Sequence, residues 1–224
     1  MKTLPLALSL LFLVACGKDN QSGSRPSQGN NLTPFVSDNA IHTVRDSRNA
    51  VMVEGTTKNF GIPVRNVTNI FCSSDLVGII YSEGRGLHVR IYNSAGGLVL
   101  DDRASMVNPR LNVRFGVAGL EYQDYQGLSH YVAVNGNGKI LEITAEDIRG
   151  HVENGVVAVA YRNGTAERAM AYLSNGQVII PDRPYGRPRF RLETYMLTLS
   201  HDRGIEQKAL TPLIENGQCH VAGY

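Results

Sequence analysis

Along most of the chain, apolar and polar residues alternate with period two, the spacing of a half-buried β-strand. In Leu87-His88-Val89-Arg90-Ile91-Tyr92 the side chains of Leu87, Val89 and Ile91 fall on one face. Leu111, Val113, Phe115 and Val117 form a second such run, with Asn112 and Arg114 outward. Further strands are predicted over 67–72, 77–82, 98–101, 130–134, 139–144, 156–162, 167–173, 177–181 and 189–199. Only Ala145–Arg149 reads as a helical turn. Asn-Gly pairs at 135–136, 137–138, 163–164, 175–176 and 216–217 supply the positive φ that tight hairpins need. The expectation is an all-β, antiparallel fold.

A turn-then-strand phrase recurs. It reads Ala95-Gly96-Gly97-Leu98, Asn137-Gly138-Lys139-Ile140, Asn175-Gly176-Gln177-Val178 and Asn216-Gly217-Gln218-Cys219, with second residues 42, 38 and 41 positions apart. In the clearest unit four strands follow one another: Val67–Cys72, Val77–Ser82, Leu87–Asn93 and Leu98–Asp101. Comparable units are 111–144, 148–181 and 189–222. Repeated antiparallel hairpins of about 40 residues are the grammar of a small β-propeller. A β-sandwich or a barrel is the alternative, because Asn-Gly turns punctuate any meander. The second unit also lacks a good second strand, since Glu121–Gln126 has no apolar face. Segment 50–65 reads as an extra hairpin that could complete the sheet of the C-terminal strands.

The beginning of the chain follows another pattern. Lys2 precedes a continuous apolar stretch, Leu4–Ala15, which ends in Leu13-Val14-Ala15-Cys16 followed by Gly17. Twelve residues, apolar but for Ser9, suit the core of a signal peptide and fall short of the roughly 20 a spanning helix needs. This segment resembles the signal peptide and lipobox of bacterial lipoproteins. The resemblance implies cleavage before Cys16, a diacylglycerol on its sulfur, and acylation (palmitate or a similar chain) of the new amine. It also implies a location in the cell envelope. With Gly17 and not Asp after the cysteine, that location is the outer membrane, facing the periplasm. Residues 17–34 are rich in Ser, Gly, Asn and Gln and nearly free of apolar side chains. They read as a flexible tether that holds the domain about 20–25 Å from the lipid. The organisation expected is therefore a signal peptide over 1–15, a lipidated cysteine and tether over 16–34, and a single all-β domain over 35–224.

With Cys16 assigned to lipid, Cys72 and Cys219 remain, and an oxidising compartment favours a disulfide between them. Two separate buried thiols are the alternative. Neither lies in a CxxC, so redox and zinc roles are not expected. The 224 residues carry 22 Lys and Arg against 20 Asp and Glu, a net charge of +2, which gives no general field for nucleic acid.

No catalytic signature emerges. Gly127-Leu128-Ser129-His130 is followed by Tyr131, so the nucleophile elbow is missing. Ser129 and His130, like Ser200 and His201, are neighbours in predicted strands and point to opposite faces. None of the six histidines stands in an HxH or HExxH spacing, and no calcium or phosphate loop is present. No metal or other cofactor is expected.

The most unusual segment is Asp182–Arg191, which holds four arginines, two aromatic residues and two prolines. It reads as an exposed, stiff connection, with Arg183, Tyr185, Arg187, Arg189, Phe190 and Arg191 as candidate binding residues. Arginine forks suit carboxylates and phosphates. Glu121–Gln126 is a second candidate surface. These features point to a non-catalytic, membrane-anchored protein that binds an envelope protein or polymer through loops on a β scaffold. An envelope hydrolase acting on glycan or peptide and a small-ligand carrier are the alternatives.

Overall fold

The computed structural model describes residues 43–47, 50–53, 59–63, 66–73, 75–211 and 220–222. The period-two pattern becomes strand throughout, and no α-helix occurs among the described residues. The signal-peptide, lipobox and tether segments, together with Cys219, lie outside them.

The strands fall into successive small sheets. The first holds β1 (Thr43–Ser47), β2 (Ala50–Val53) and β3 (Asn59–Pro63). Next come β4 (Val67–Cys72), β5 (Leu76–Glu83), β6 (Gly86–Asn93) and the long β7 (Leu98–Arg114). The first half of β7 pairs with β6, from Leu98 to Met106; its second half, from Val107 to Arg114, pairs with β8 (Val117–Gln123). One strand thus closes one four-stranded unit and opens the next, which continues through β9 (Ser129–Asn135) and β10 (Gly138–Ala145). A fourth sheet holds β11 (Asp147–Glu153), β12 (Val156–Asn163), β13 (Ala166–Leu173) and β14 (Val178–Pro184). The fifth holds β15 (Arg189–Glu193), β16 (Met196–His201) and β17 (Gly204–Ala209). The last strand, β18 (His220–Ala222), returns to pair with β1, in parallel. The hairpin expected in 50–65 therefore shares a sheet with the C-terminal strand. The fold is all-β and antiparallel in every other pairing, built from propeller-blade-like units of about 40 residues. No sheet closes into a barrel among the described residues.

In the three units where it falls on described residues, the recurring phrase marks the turn from third to fourth strand; its fourth occurrence, 216–219, lies outside them. Gly96 N–H donates to Asn93 C=O at 2.8 Å, and Gly176 N–H to Leu173 C=O at 2.9 Å. Gly138 N–H reaches Asn135 Oδ1 at 3.1 Å.

Three expectations need correction. The run from Leu111 to Val117 is not one strand, because Phe115 (φ 48°) and Gly116 (φ 72°) turn the chain between β7 and β8. Val117 therefore begins the second strand of that unit, whose buried Ala118, Leu120 and Tyr122 provide the face that Glu121–Gln126 lacks, with Val117 buried on the other side. Ala145–Arg149 is not a helical turn; Ala145 ends β10, and Ile148 in β11 is buried in the core between the sheets. The predicted strand 189–199 is a hairpin, β15 and β16, paired from Arg189↔Ser200 to Glu193↔Met196.

The core lies between consecutive sheets, and alternation sorts residues into it. In β12, Val157 and Val159 join the cluster shared with β8–β11, while Val156 and Ala158 join Leu197 and Leu199 of β16 on the other side. In β9, Tyr131 and Ala133 face one interface, and Val132 and Val134 the other. A sheet buried on both faces explains why β12 (Val156-Val157-Ala158-Val159-Ala160) reads as a continuous apolar run.

Candidate functional site

The arginine-rich segment does not form the irregular connection expected of it. Asp182, Arg183 and Pro184 extend β14, and the connection proper is Tyr185–Pro188. Proline is tolerated here because β14 is the outer strand of its sheet, where a missing N–H breaks no ladder.

The six residues separate into three groups. Tyr185 and Phe190 belong to the core, packed with Ile180, Leu197 and Leu199. Arg183 is held in place: Nε donates to the Tyr185 hydroxyl, the guanidinium lies 5.0 Å from that ring's centroid, and Nη2 reaches Glu206. These contacts raise the Arg183 pKa, the Tyr185 hydrogen bond contributing most. Arg191 pairs with Glu193 at 2.7 Å. Arg187 and Arg189 are different. They line a cleft of about 180 Å³ together with Arg149, Arg162, Asp147, Glu167, Tyr161 and Pro188. Among the described residues their guanidinium groups enter no ion pair.

The walls of the cleft are fixed from several strands. Arg162 of β12 pairs with Glu146 at 2.8 Å, and Arg149 of β11 stands 3.6 Å from Asp147. The Tyr161 hydroxyl donates to Asp182, which also accepts from Arg168 Nε at 2.9 Å. Arg187 adopts the left-handed conformation (φ 52°), which costs a non-glycine residue about 1 kcal/mol. Two bonds to Glu167 hold the loop there. The Arg187 N–H donates to its carboxylate, and the Tyr185 N–H to its carbonyl at 2.9 Å.

Comparison with known proteins adds little to this geometry. No family model matches the chain, and no curated protein does. Among solved structures it is similar to the WD40 domain of SCAP from fission yeast, at 13% identity and a TM-score of 0.29. The match covers 80% of this chain and 56% of that one. The fold assignment therefore rests on the chain's own strand order.

A second polar group escaped the sequence. Asp124 Oδ1 accepts from the N–H groups of Gln126 and Leu128 at 2.8 and 3.0 Å, and its Oδ2 lies 3.0 Å from His130 Nε2. His130 Nδ1 is 3.0 Å from the Thr144 hydroxyl, and Tyr122 stacks on the imidazole at 4.8 Å. The His130 contact, followed by the backbone N–H bonds, holds the Asp124 carboxyl below its ordinary pKa. Register explains the group, because His130 is the direct partner of Tyr122 in β8 and of Thr144 in β10. The candidate surface Glu121–Gln126 is thereby divided. Tyr122 is buried, Tyr125 is exposed, and Asp124 clamps the loop.

A groove of about 170 Å³ lies at the β7–β8–β11 junction, lined by Arg110, Asn112, Glu121 and Tyr131 among others. The Tyr131 hydroxyl is buried with no hydrogen-bond partner, and burial, with Glu121 adding to it, drives its pKa far up. Among the described residues no three His, Cys, Asp or Glu side chains are grouped to hold a metal ion. Ser200, His201 and Asp202 form no triad; His201 instead lies 3.5 Å from Glu206.

Proposed function

We propose that this protein is a lipid-anchored lipoprotein of the cell envelope, held at the periplasmic face of the outer membrane through Cys16. It binds a partner protein or an envelope polymer through loops on its β scaffold and performs no chemistry itself. The anchor rests on Leu13-Val14-Ala15-Cys16 and the apolar stretch before it. The binding role rests on one observation, the cleft where Arg187 and Arg189, free of ion pairs among the described residues, stand beside Arg149 and Arg162. Exposed guanidinium groups carried by a tightly held loop suit recognition of an anionic partner.

The test is an in-cell cross-linking pull-down of the lipidated protein beside its R187A/R189A variant. A partner captured by the first and lost by the second supports the reading. No partner in either overturns it. Palmitate-analogue labelling that survives Cys16→Ser overturns the anchor.

An envelope hydrolase remains a second reading because Thr144, His130 and Asp124 have the connectivity of a nucleophile, base and orienting acid. Against it, Thr144 is exposed on the outer strand β10, and neither cleft described above includes it. Hydrolysis of envelope glycan or peptide that T144A abolishes would establish it.

A further inference from the structure

We infer that the arginine cleft binds the carboxylate side chains of an acidic peptide segment, an inference that rests on the binding role proposed above and names its ligand. The lining carries four guanidinium groups, from Arg149, Arg162, Arg187 and Arg189, against the carboxylates of Asp147 and Glu167. Arg149 and Arg162 already face Asp147 and Glu146, and Glu167 offsets one further charge, so the cleft keeps a net positive charge on the side of Arg187 and Arg189, whose guanidinium groups enter no ion pair among the described residues. Those two flank Pro188, which is buried, so both side chains spring from a fixed stretch of backbone. A planar guanidinium meets a carboxylate through two parallel N–H bonds, and two such forks side by side suit successive acidic side chains.

A phosphate is the poorer fit. Phosphate sites recruit backbone N–H groups, and the Arg187 N–H is already taken by the Glu167 carboxylate. Asp147 and Glu167 can also accept hydrogen bonds from a peptide's N–H groups, which inorganic phosphate does not offer.

The test uses the mature, lipidated protein in detergent and a fluorescein-labelled synthetic peptide of alternating Glu and Gly, read by anisotropy. The same peptide with Gln in place of Glu is the comparison, and inorganic phosphate and glycerol phosphate are soluble competitors. The Glu peptide binds and the Gln peptide does not. R187A/R189A weakens binding about tenfold, and R187K/R189K restores only part of it, because the charge returns without the fork. Lys139→Ala, which removes an exposed charge on β10, leaves binding unchanged. Equal binding of both peptides, or an unaffected R187A/R189A variant, overturns the inference. Competition by phosphate at concentrations where free glutamate is ineffective reassigns the cleft to phosphate and overturns it as well. If the Glu peptide fails while the in-cell partner is still lost in R187A/R189A, the ligand class falls and the binding role stands. If both fail, both fall.

Discussion

Asn93 Nδ2 donates to the carbonyl of Gly136 at 3.2 Å, joining the end of one third strand to the corresponding turn of the next unit, 43 residues on. Asn135 repeats the contact to the Ser174 carbonyl across 39 residues. Other bonds between units keep nearly the same interval. Asn112 reaches the Val152 carbonyl across 40 residues, while Arg114 reaches Glu153 and Asn154 the Glu193 carbonyl across 39 each. Side-chain amides thus add directional contacts to the apolar packing between sheets. The series Asn93, Asn135 ends at Leu173, which holds the equivalent place and has no amide to offer.

Asn135 serves two purposes, and its variants should separate them. Its Oδ1 accepts from the N–H groups of Asn137 and Gly138, closing its own hairpin, while Nδ2 ties the next unit. Asn135→Ala should cost about 2–3 kcal/mol in urea unfolding, at up to ~1.5 kcal/mol for each of three bonds. Asn135→Asp keeps the acceptor but turns a carboxylate oxygen toward the Ser174 carbonyl, so it should lose the contact between units at a cost of at least about 1 kcal/mol while the hairpin bonds remain. An alanine variant as stable as the native protein would remove this stitch from the account.

Gly119 and Gly150 make room for Tyr131. A Cβ on either glycine would run into the Tyr131 ring or hydroxyl, and neither residue has a positive φ to explain it otherwise. Gly150→Ala should therefore destabilise by about 1–3 kcal/mol, the usual penalty of overpacking. Combined with Tyr131→Leu, the loss should be less than the sum of the two single changes. Tyr131→Phe should be neutral or stabilising by up to ~1 kcal/mol, since the buried hydroxyl it removes has no partner. Thermal unfolding of the four variants checks these outcomes.

Side-chain alternation made the strands and the unit length readable, because burial on alternate faces leaves a local imprint. The break at Phe115–Gly116 left none, since no Asn-Gly or proline marks it and the turn is selected by the pairing of β7 with β8. Likewise the Asp124–His130–Thr144 group depends on register between three strands, a long-range choice that spacing does not encode. The arginine cleft was readable by half. Arg187 and Arg189 stood out in a biased segment, whereas Arg149, Arg162, Asp147 and Glu167 come from earlier strands that only the fold brings alongside.

Acid should loosen the loop Asp124–Leu128 only once pH has fallen below the ordinary carboxylate range. The folded-state pKa of Asp124 is depressed, so its contribution to stability is full above the unfolded value, about 3.9. That contribution is lost as pH falls through the lower, folded value and the clamp becomes protonated. Amide exchange at Gln126 and Leu128 should accelerate over that window in the native protein. In Asp124→Asn the acid-dependent step should vanish. A step that persists in the variant would assign it to another carboxyl.

The expected disulfide between Cys72 and Cys219 can be tested directly, Cys219 itself lying outside the described residues. Cys72 ends β4, Cys219 immediately precedes β18, and β18 lies against β4 while pairing with β1. A bridge there would anchor a three-residue strand whose ladder with β1 spans only Thr43↔His220 to Arg45↔Ala222. In the chain-entropy picture, closing so long a loop stabilises by about 4–5 kcal/mol, less any strain. The intact, non-reduced protein should weigh two hydrogens less than the reduced one, and reduction should lower its unfolding midpoint. Cys72→Ser and Cys219→Ser should each reproduce that loss, and the double variant should add nothing further, since either change alone removes the same bond. Free thiols at both positions before reduction would leave the return of β18 to its hydrogen bonds and packing alone.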